Sequence, residues 1–598
     1  MKLVQNIQDK FQGLIQASKR YPLTVLFLVV IAGLNTYLIQ QETDDYINYV
    51  YSLIVGVFLS AVAQHIYERF FEKTSQRIAL MGGSLLLTLL YFYTIGSSTV
   101  YDLEMTVKTS IIFLILAVAF IWVPTIKNRI TFSESYLSAF KAFFTTVLFT
   151  VILYAGVGFI IFAVDQLLFS VNYKANLHSA NLIISLFSPI FFLSYTPGYV
   201  TKKDEATQTP EKLVAKQNQI KNEVSVPKVL ELLISYILIP LTAIFTVILL
   251  VYLLQNITGD FWTNNLLEPM LVSYSVTVIL VYLLASNIET KSALLFRKIF
   301  PKVLVPIVLF QTISSVLKIQ ETGLTHGRYY VILFGLFAVI AGLIFSILPV
   351  KKNGWIAVVL IVLSVISITP PVDAFTVSQT SQTNLLKETL EKNQMLEENK
   401  LIPNADVSKE DKIKISQTIY YLTDMDYTED IKWLAPYGQQ LTYQFEEIFG
   451  FQPIYGETGF VNNQPAQDAY YATLDRQQTP VISIEDYDKM IAISYYEFSE
   501  RSAIEFEVGD STYAIETQGK EGKNLVLMDE NKQSLMSIDL QEAMEQVATT
   551  TQTENLFTIE EGTVVAENEQ VEMKVLFTSI DIYDDQYNSE FYLFVDVK

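Results

Sequence analysis

Three kinds of side chain in this sequence have types and spacings that could carry chemistry. Asp424-Met-Asp426, followed by Glu429 and Asp430, matches the first two ligands of a calcium loop, but the glycine and terminal glutamate of an EF-hand are missing. Asp581, Asp584 and Asp585 form a second acidic knot. Asp424, Asp426, Asp584 and Asp585 are therefore the candidate metal ligands, for a weakly held divalent cation. The competing reading is a pair of solvated acidic loops, since charge runs usually face water. His65, His178 and His326 lack metal-ligand spacing such as H-x-x-x-H, and each reads as an ordinary interfacial residue. Ser138-Ala-Phe-Lys141 matches S-x-x-K without the companion motifs of penicillin-recognising enzymes. No Gly-rich phosphate loop, G-x-S-x-G or H-E-x-x-H occurs, and there is no cysteine for thiolate or disulfide chemistry. Neither a catalytic residue nor a cofactor is assigned.

The elements that must position these groups fall into two kinds. The division runs through Lys351-Lys352-Asn353-Gly354, the apolar run 355–369 and Pro370-Pro371. Upstream, apolar runs alternate with short polar loops; downstream the chain is polar and acidic. Hydrophobic residues make up 51 % and charged residues only 17 %, against about 25 % in soluble domains. The net charge of −21 is uneven: residues 371–598 carry about −28 and the rest about +7. An acidic tail repels phosphates, which excludes nucleic acid as a partner.

Only a continuous helix of about 20 apolar residues satisfies its own backbone across a bilayer. The sequence predicts eleven spans, near 21–39, 47–67, 78–95, 109–123, 140–164, 180–195, 229–255, 267–286, 303–317, 329–348 and 355–369. Their loops alternate in charge. One set holds Lys19-Arg20, Arg69 to Arg77, Lys127 to Lys141, Lys202 to Lys228, Lys291 to Lys302 and Lys351-Lys352. The other holds Glu42 to Asp45, Asp102, Glu104, Asp165, Asp260 and Glu268, with only Lys108, Lys174, Lys318 and Arg328 as bases. Basic loops stay in the cytoplasm, so the N-terminus is expected inside and the tail outside. The last span is short, about 22 Å for its 15 residues, and two lysines and Trp355 flank its start.

The expected domains are a cytoplasmic interfacial helix over 1–20, with an apolar face in 3–15, and a transmembrane bundle over 21–371. A flexible cytoplasmic loop over 196–228 interrupts the bundle, and an extracytoplasmic α+β domain over 372–598 follows it. In the tail, Leu385, Leu386, Leu390 and Leu396 space as a helix, and Ser408 with Asp411 opens a second through Ile415, Ile419 and Leu422. Hairpins are predicted at Gly509-Asp510 and across Asp529–Lys532. A short helix capped at Asp539 and Glu542 should turn Leu540, Ala543, Met544 and Val547 inward. Alternating strands at 571–577 and 591–597 complete an antiparallel sheet.

Four stretches resemble a known family. They are YPLTVLFLVVIAGLN in the first span, AVDQLLFSVN after the fifth, GLTHGRYYVILFGLFA entering the tenth and TPPVDAFTVSQTSQTNLLKETLEKNQML at the junction. Their order is similar to bacterial multi-pass membrane proteins of domain of unknown function 4153. That resemblance implies a polytopic membrane protein with an extracytoplasmic C-terminal region and no established activity. The expected function is binding or sensing at the cell envelope, with no enzymatic reaction expected. The alternative is transport of a small or lipid-linked solute. Expected partners are the lipid bilayer, an envelope protein or ligand, and weakly held divalent cations.

Overall fold

Apolar runs of this length fold in the computed structural model as long helices. It describes residues 12–43, 46–95, 103–256, 268–438, 440–454, 470–474, 481–496, 503–518, 523–550, 556–583 and 586–598. Most of the predicted helix over 3–15 and the acidic pair Asp584-Asp585 lie outside these residues.

Nine helices among the described residues are long and apolar enough to cross a bilayer. They are Pro22–Gln41, Ile47–Phe70, Thr74–Ile95, Leu103–Thr125, Phe132–Leu167, Lys174–Ser194, Lys228–Gln255, His326–Ile347 and Val350–Ile368. Eleven spans were expected. The other two predicted runs are helices of a different kind. Glu268–Ala285 has only 18 residues, and Lys291–Leu317 carries Lys291, Arg297, Lys298 and Lys302 in its first half and Pro301 and Pro306 within it. Pro22 opens the first span where its missing N–H costs nothing, and a Thr131–Glu134 capping box opens Phe132–Leu167. Leu86, Leu89, Phe159, Ile160 and Leu254 stand exposed on these helices and form the lipid-facing surface.

Inside, Lys291–Leu317 packs closely on His326–Ile347. A Cβ on Gly342 would lie 3.2 Å from the Pro301 carbonyl, so the glycine is what permits the approach. Tyr282 stacks on Phe345 at 3.9 Å between ring centroids. Small polar side chains join helices across the bundle: the Thr24 and Ser60 hydroxyls at 2.8 Å, and the Asn35 side-chain amide donating to the Asn181 amide oxygen at 3.3 Å.

The predicted flexible loop over 196–228 is structured. Lys202–Thr207 and Pro210–Glu223 are helices, the first closed by a Thr201–Asp204 capping box. Lys216 pairs with Asp204 at 2.5 Å, and Tyr199, Val200, Ile220 and Val224 form a small core with Ile130 and Leu213. The cap and the 213–220–224 spacing are both present in the sequence, but too sparse to outweigh its polarity.

The last span ends at Ile368, and after a cis Pro370–Pro371 bond Asp373 caps Ala374–Lys392. Ser408 caps Lys409–Asp424, as its spacing with Asp411 predicted. A two-residue hairpin, β1 (Leu396–Glu397) with β2 (Lys400–Leu401), joins these helices. Leu386, Leu390, Ile415, Ile419, Leu422 and Trp433 build a core shared by them. By packing, residues 1–454 form one compact unit and residues 455–598 a second, so this helical module groups with the bundle rather than with the strands.

The second unit holds two sheets. In the larger, β4 (Lys489–Tyr496), β12 (Gln586–Val597), β11 (Val571–Tyr583), β3 (Tyr470–Leu474) and β9 (Leu556–Phe557) lie side by side, with β10 (Thr563–Glu567) also on β11. Among the described residues only β3 and β9 run parallel. The smaller is a meander of β5 (Ile504–Val508), β6 (Ser511–Gln518), β7 (Asn524–Met528) and β8 (Ser534–Asp539). Both predicted hairpins are present. Gly509 supplies the φ of +60° the first turn requires, and the Asp529 carboxylate accepts from the Asn531 and Gln533 amides in the second. Asp539 caps Leu540–Thr550, whose Leu540, Ala543, Met544 and Val547 are buried. Val571, Met573, Val575, Phe577, Phe591, Leu593 and Val595 fill the core, as their alternation required.

Candidate functional site

A chain rich in apolar helices concentrates its chemistry wherever polar side chains are buried together. Two such assemblies lie at the two ends of one helix, Leu103–Trp122. Lys108 belongs to the first and Phe120 to the second, about 18 Å apart at 1.5 Å per residue.

The first assembly joins the bundle to the helical module. Asp373 is fully buried. Its carboxylate accepts from the Phe375 and Thr376 amides, each at 3.2 Å, and from the Thr376 hydroxyl at 2.6 Å. The Lys108 ammonium lies 3.4 Å from it, 2.5 Å from Glu104 and over the Phe375 ring at 5.7 Å. Burial opposes ionisation of Asp373, but the Thr376 hydrogen bonds and the Lys108 charge outweigh it and hold the carboxyl below the usual aspartate range. His326 stacks on Phe375 at 5.4 Å and shares a 3.0 Å hydrogen bond with the Tyr421 hydroxyl, which donates to Ser378 at 3.1 Å. The Leu324 amide donates to Ser381 at 3.0 Å, and Gln382 donates to the Thr322 carbonyl at 3.0 Å. Deeper in the module, Asp411 is held below its ordinary value too, because hydrogen bonds from Lys392 and Asn393 outweigh its burial.

The second assembly is a buried network on Ile47–Phe70. Glu68 accepts two hydrogen bonds from Arg20, at 2.8 and 2.7 Å, and one from Gln64 at 2.8 Å. Arg20 also donates to the Thr196 and Pro197 carbonyls at 3.1 and 3.0 Å. His65 is stacked on Phe120 at 4.3 Å and bonded to the Tyr21 hydroxyl at 2.8 Å and the Phe120 carbonyl at 2.9 Å. Two cavities of about 10 Å³ flank it, each about the room of one water. With its partners satisfied by neighbours, this network is built for fixing helices together.

The residues singled out from sequence distribute unevenly over these assemblies. Asp424 ends its helix and Asp426 follows with φ 57°, and both are exposed. No group of three His, Asp or Glu among the described residues is arranged to hold a metal ion. Two of the three histidines are members of the assemblies, His65 being 2 % exposed, whereas His178 is in neither. Ser138 is buried, and the Lys141 ammonium donates to the Glu223 and Ser225 carbonyls at 2.6 and 2.9 Å, closing the end of Pro210–Glu223. The S-x-x-K lysine is thus engaged as a helix cap. Sequence reasoning missed Arg20, Glu68, Lys108 and Asp373 because each partner lies tens to hundreds of residues away.

Among the described residues, nine helices apolar and long enough to span define a multi-pass membrane protein. The chain belongs to the family described as Domain of unknown function (DUF4153), whose model matches residues 23–399. That stretch takes in the nine spans among the described residues, except Pro22 at the start of the first, together with the Asp373 cap, and stops before residues 455–598. No curated protein and no solved structure matches the chain.

Proposed function

We propose that this membrane protein binds or senses a ligand at the cell envelope, with the C-terminal region outside the cytoplasm. The observation that carries the reading is the seating of the 374–454 module on the bundle through Asp373, Ser381, Gln382 and Tyr421. A module fixed to span ends by buried polar contacts can pass a change of state into the helices, whereas a passive tail needs no such seat. The charge alternation of the loops supports the orientation.

Reporter fusions test the orientation. One placed after Lys598 should be active only if it works outside the cytoplasm, and one near Gln208 only if it works inside; cytoplasmic activity after Lys598 overturns the reading. Transport is the competing function, and substrate-dependent flux in vesicles holding the purified full chain would replace sensing with it.

A further inference from the structure

We infer that a basic, aromatic-rimmed cavity at one face of the bundle is a binding site for the phosphate headgroup of an anionic phospholipid. The cavity, about 400 Å³, lies between the loop that follows Leu103–Trp122 and the turn that precedes Trp355–Ile368. Lys127, Arg129, Lys351 and Lys352 line it, with Trp122 and Trp355. No acidic side chain lines it among the described residues, and no carboxylate among them pairs with the three lysines. The Arg129 guanidinium donates to the neutral Gln217 amide oxygen at 2.7 Å and forms no ion pair among the described residues. Four positive charges therefore converge on a space that no carboxylate lines among the described residues.

The cavity is held open by contacts outside it. Arg69 donates to the Ile126 carbonyl at 2.5 Å and to the Lys127 carbonyl, fixing the loop, in which Lys127 takes a φ of 51°. Asn353, fully buried, donates to Ser133 at 3.0 Å and Ser286 at 3.3 Å, which pins the Lys351-Lys352 turn. Trp122, Phe132 and Trp355 mark the ends of three spanning helices, so the cavity sits at headgroup depth whichever way the protein faces. Tryptophan prefers that depth, and basic pockets between span ends recognise anionic headgroups. A soluble phosphate compound would meet the same charges but would have no use for the two indole walls.

The test uses the purified full chain in bilayer discs containing equal phosphatidylglycerol and phosphatidylcholine, with retained lipids counted by native mass spectrometry after detergent exchange. Phosphatidylglycerol should be retained preferentially. Lys351→Gln and Lys127→Gln should each cut the preference roughly fivefold, the effect expected of one basic residue at an anionic surface. Lys298→Gln, an exposed cation elsewhere, should leave it intact. Variants are compared at unchanged melting temperature, and Arg129→Lys should retain the preference if charge is what binds. Absence of preference, or equal loss in Lys298→Gln, overturns the site. Displacement of the lipid by millimolar inorganic phosphate overturns the lipid reading in favour of a free-anion site.

Discussion

In residues 455–598 the interior is almost wholly apolar: Thr578 and Ser589 are the only buried polar side chains among the described residues there. In residues 1–454 the interior includes Gln64, His65, Gln311, Asn353, Asp373, Gln382 and Asp411. Net charge divides the other way. Residues 1–454 balance 33 acids with 33 bases, and residues 455–598 carry 29 acids against 8 bases, the whole −21 of the chain. The contrast follows from the two solvents. Lipid tails are as apolar as leucine, so burying leucine between helices selects no arrangement, and paired polar groups and small residues supply the specificity. In water, burial of apolar side chains itself drives association, and charge is left outside.

This contrast can be broken by experiment, most sharply in the sheet. Residues 455–598 produced alone should be soluble and unfold in urea in one transition. Phe577→Ala there should cost about 3–5 kcal/mol, because it empties the centre of the apolar core. Survival of the variant at the original urea midpoint would mean that this core is not what holds the unit. A fragment starting at 376 should behave worse, since it bares the face of the module that seats on the bundle.

Asp373→Ala in the full chain should cost about 1–2 kcal/mol through loss of the helix cap, read as a lowered melting temperature in detergent. The same contact predicts a pH response. A depressed carboxyl contributes stability above its unfolded value, about 3.9, and loses it as pH falls through its lower folded value. Asp373 shifts this way at the seat and Asp411 inside the module, so both the seating and the packing of the module should weaken below about pH 4. Acid should instead first relieve the self-repulsion of residues 455–598. Identical acid profiles for the two units would remove the distinction.

The smallest effect concerns calcium. If Asp424 and Asp426 form a millimolar site, millimolar calcium should stabilise the full chain by only about 0.4 kcal/mol beyond matched sodium chloride. Asp424→Asn with Asp426→Asn should abolish that excess, and equal shifts in both salts would identify these acids as a solvated surface.

What sequence revealed followed the range of the interaction. Nine of the eleven predicted spans, the Gly509 and Asp529 hairpins, and the caps at Ser408 and Asp539 depend on residues within a few positions of one another, and these were legible. The Lys108–Asp373 pair and the Arg20–Glu68 pair were not, because nothing in the local pattern around either partner specifies a mate 265 or 48 positions away. The helices over 202–223 were missed for a different reason. Their surfaces are so polar that three apolar residues at long spacing were outweighed by composition.

The order of strands in the larger sheet also sets a clock. Its two adjoining central strands, β11 and β12, come from residues 571–597, whereas their partners β3 and β4 are made far earlier. Tyr470 waits for Ile582, about 110 residues downstream, which at roughly 5–20 residues per second is roughly 6–22 s of elongation. The β5–β8 meander can close on its neighbours as each strand is made. Throughout that interval β4, and β3 along the side that β11 will take, remain bare edges, open to pairing with other chains. Ribosome stalling late in the message should therefore yield an aggregation-prone product, out of proportion to the few residues it lacks.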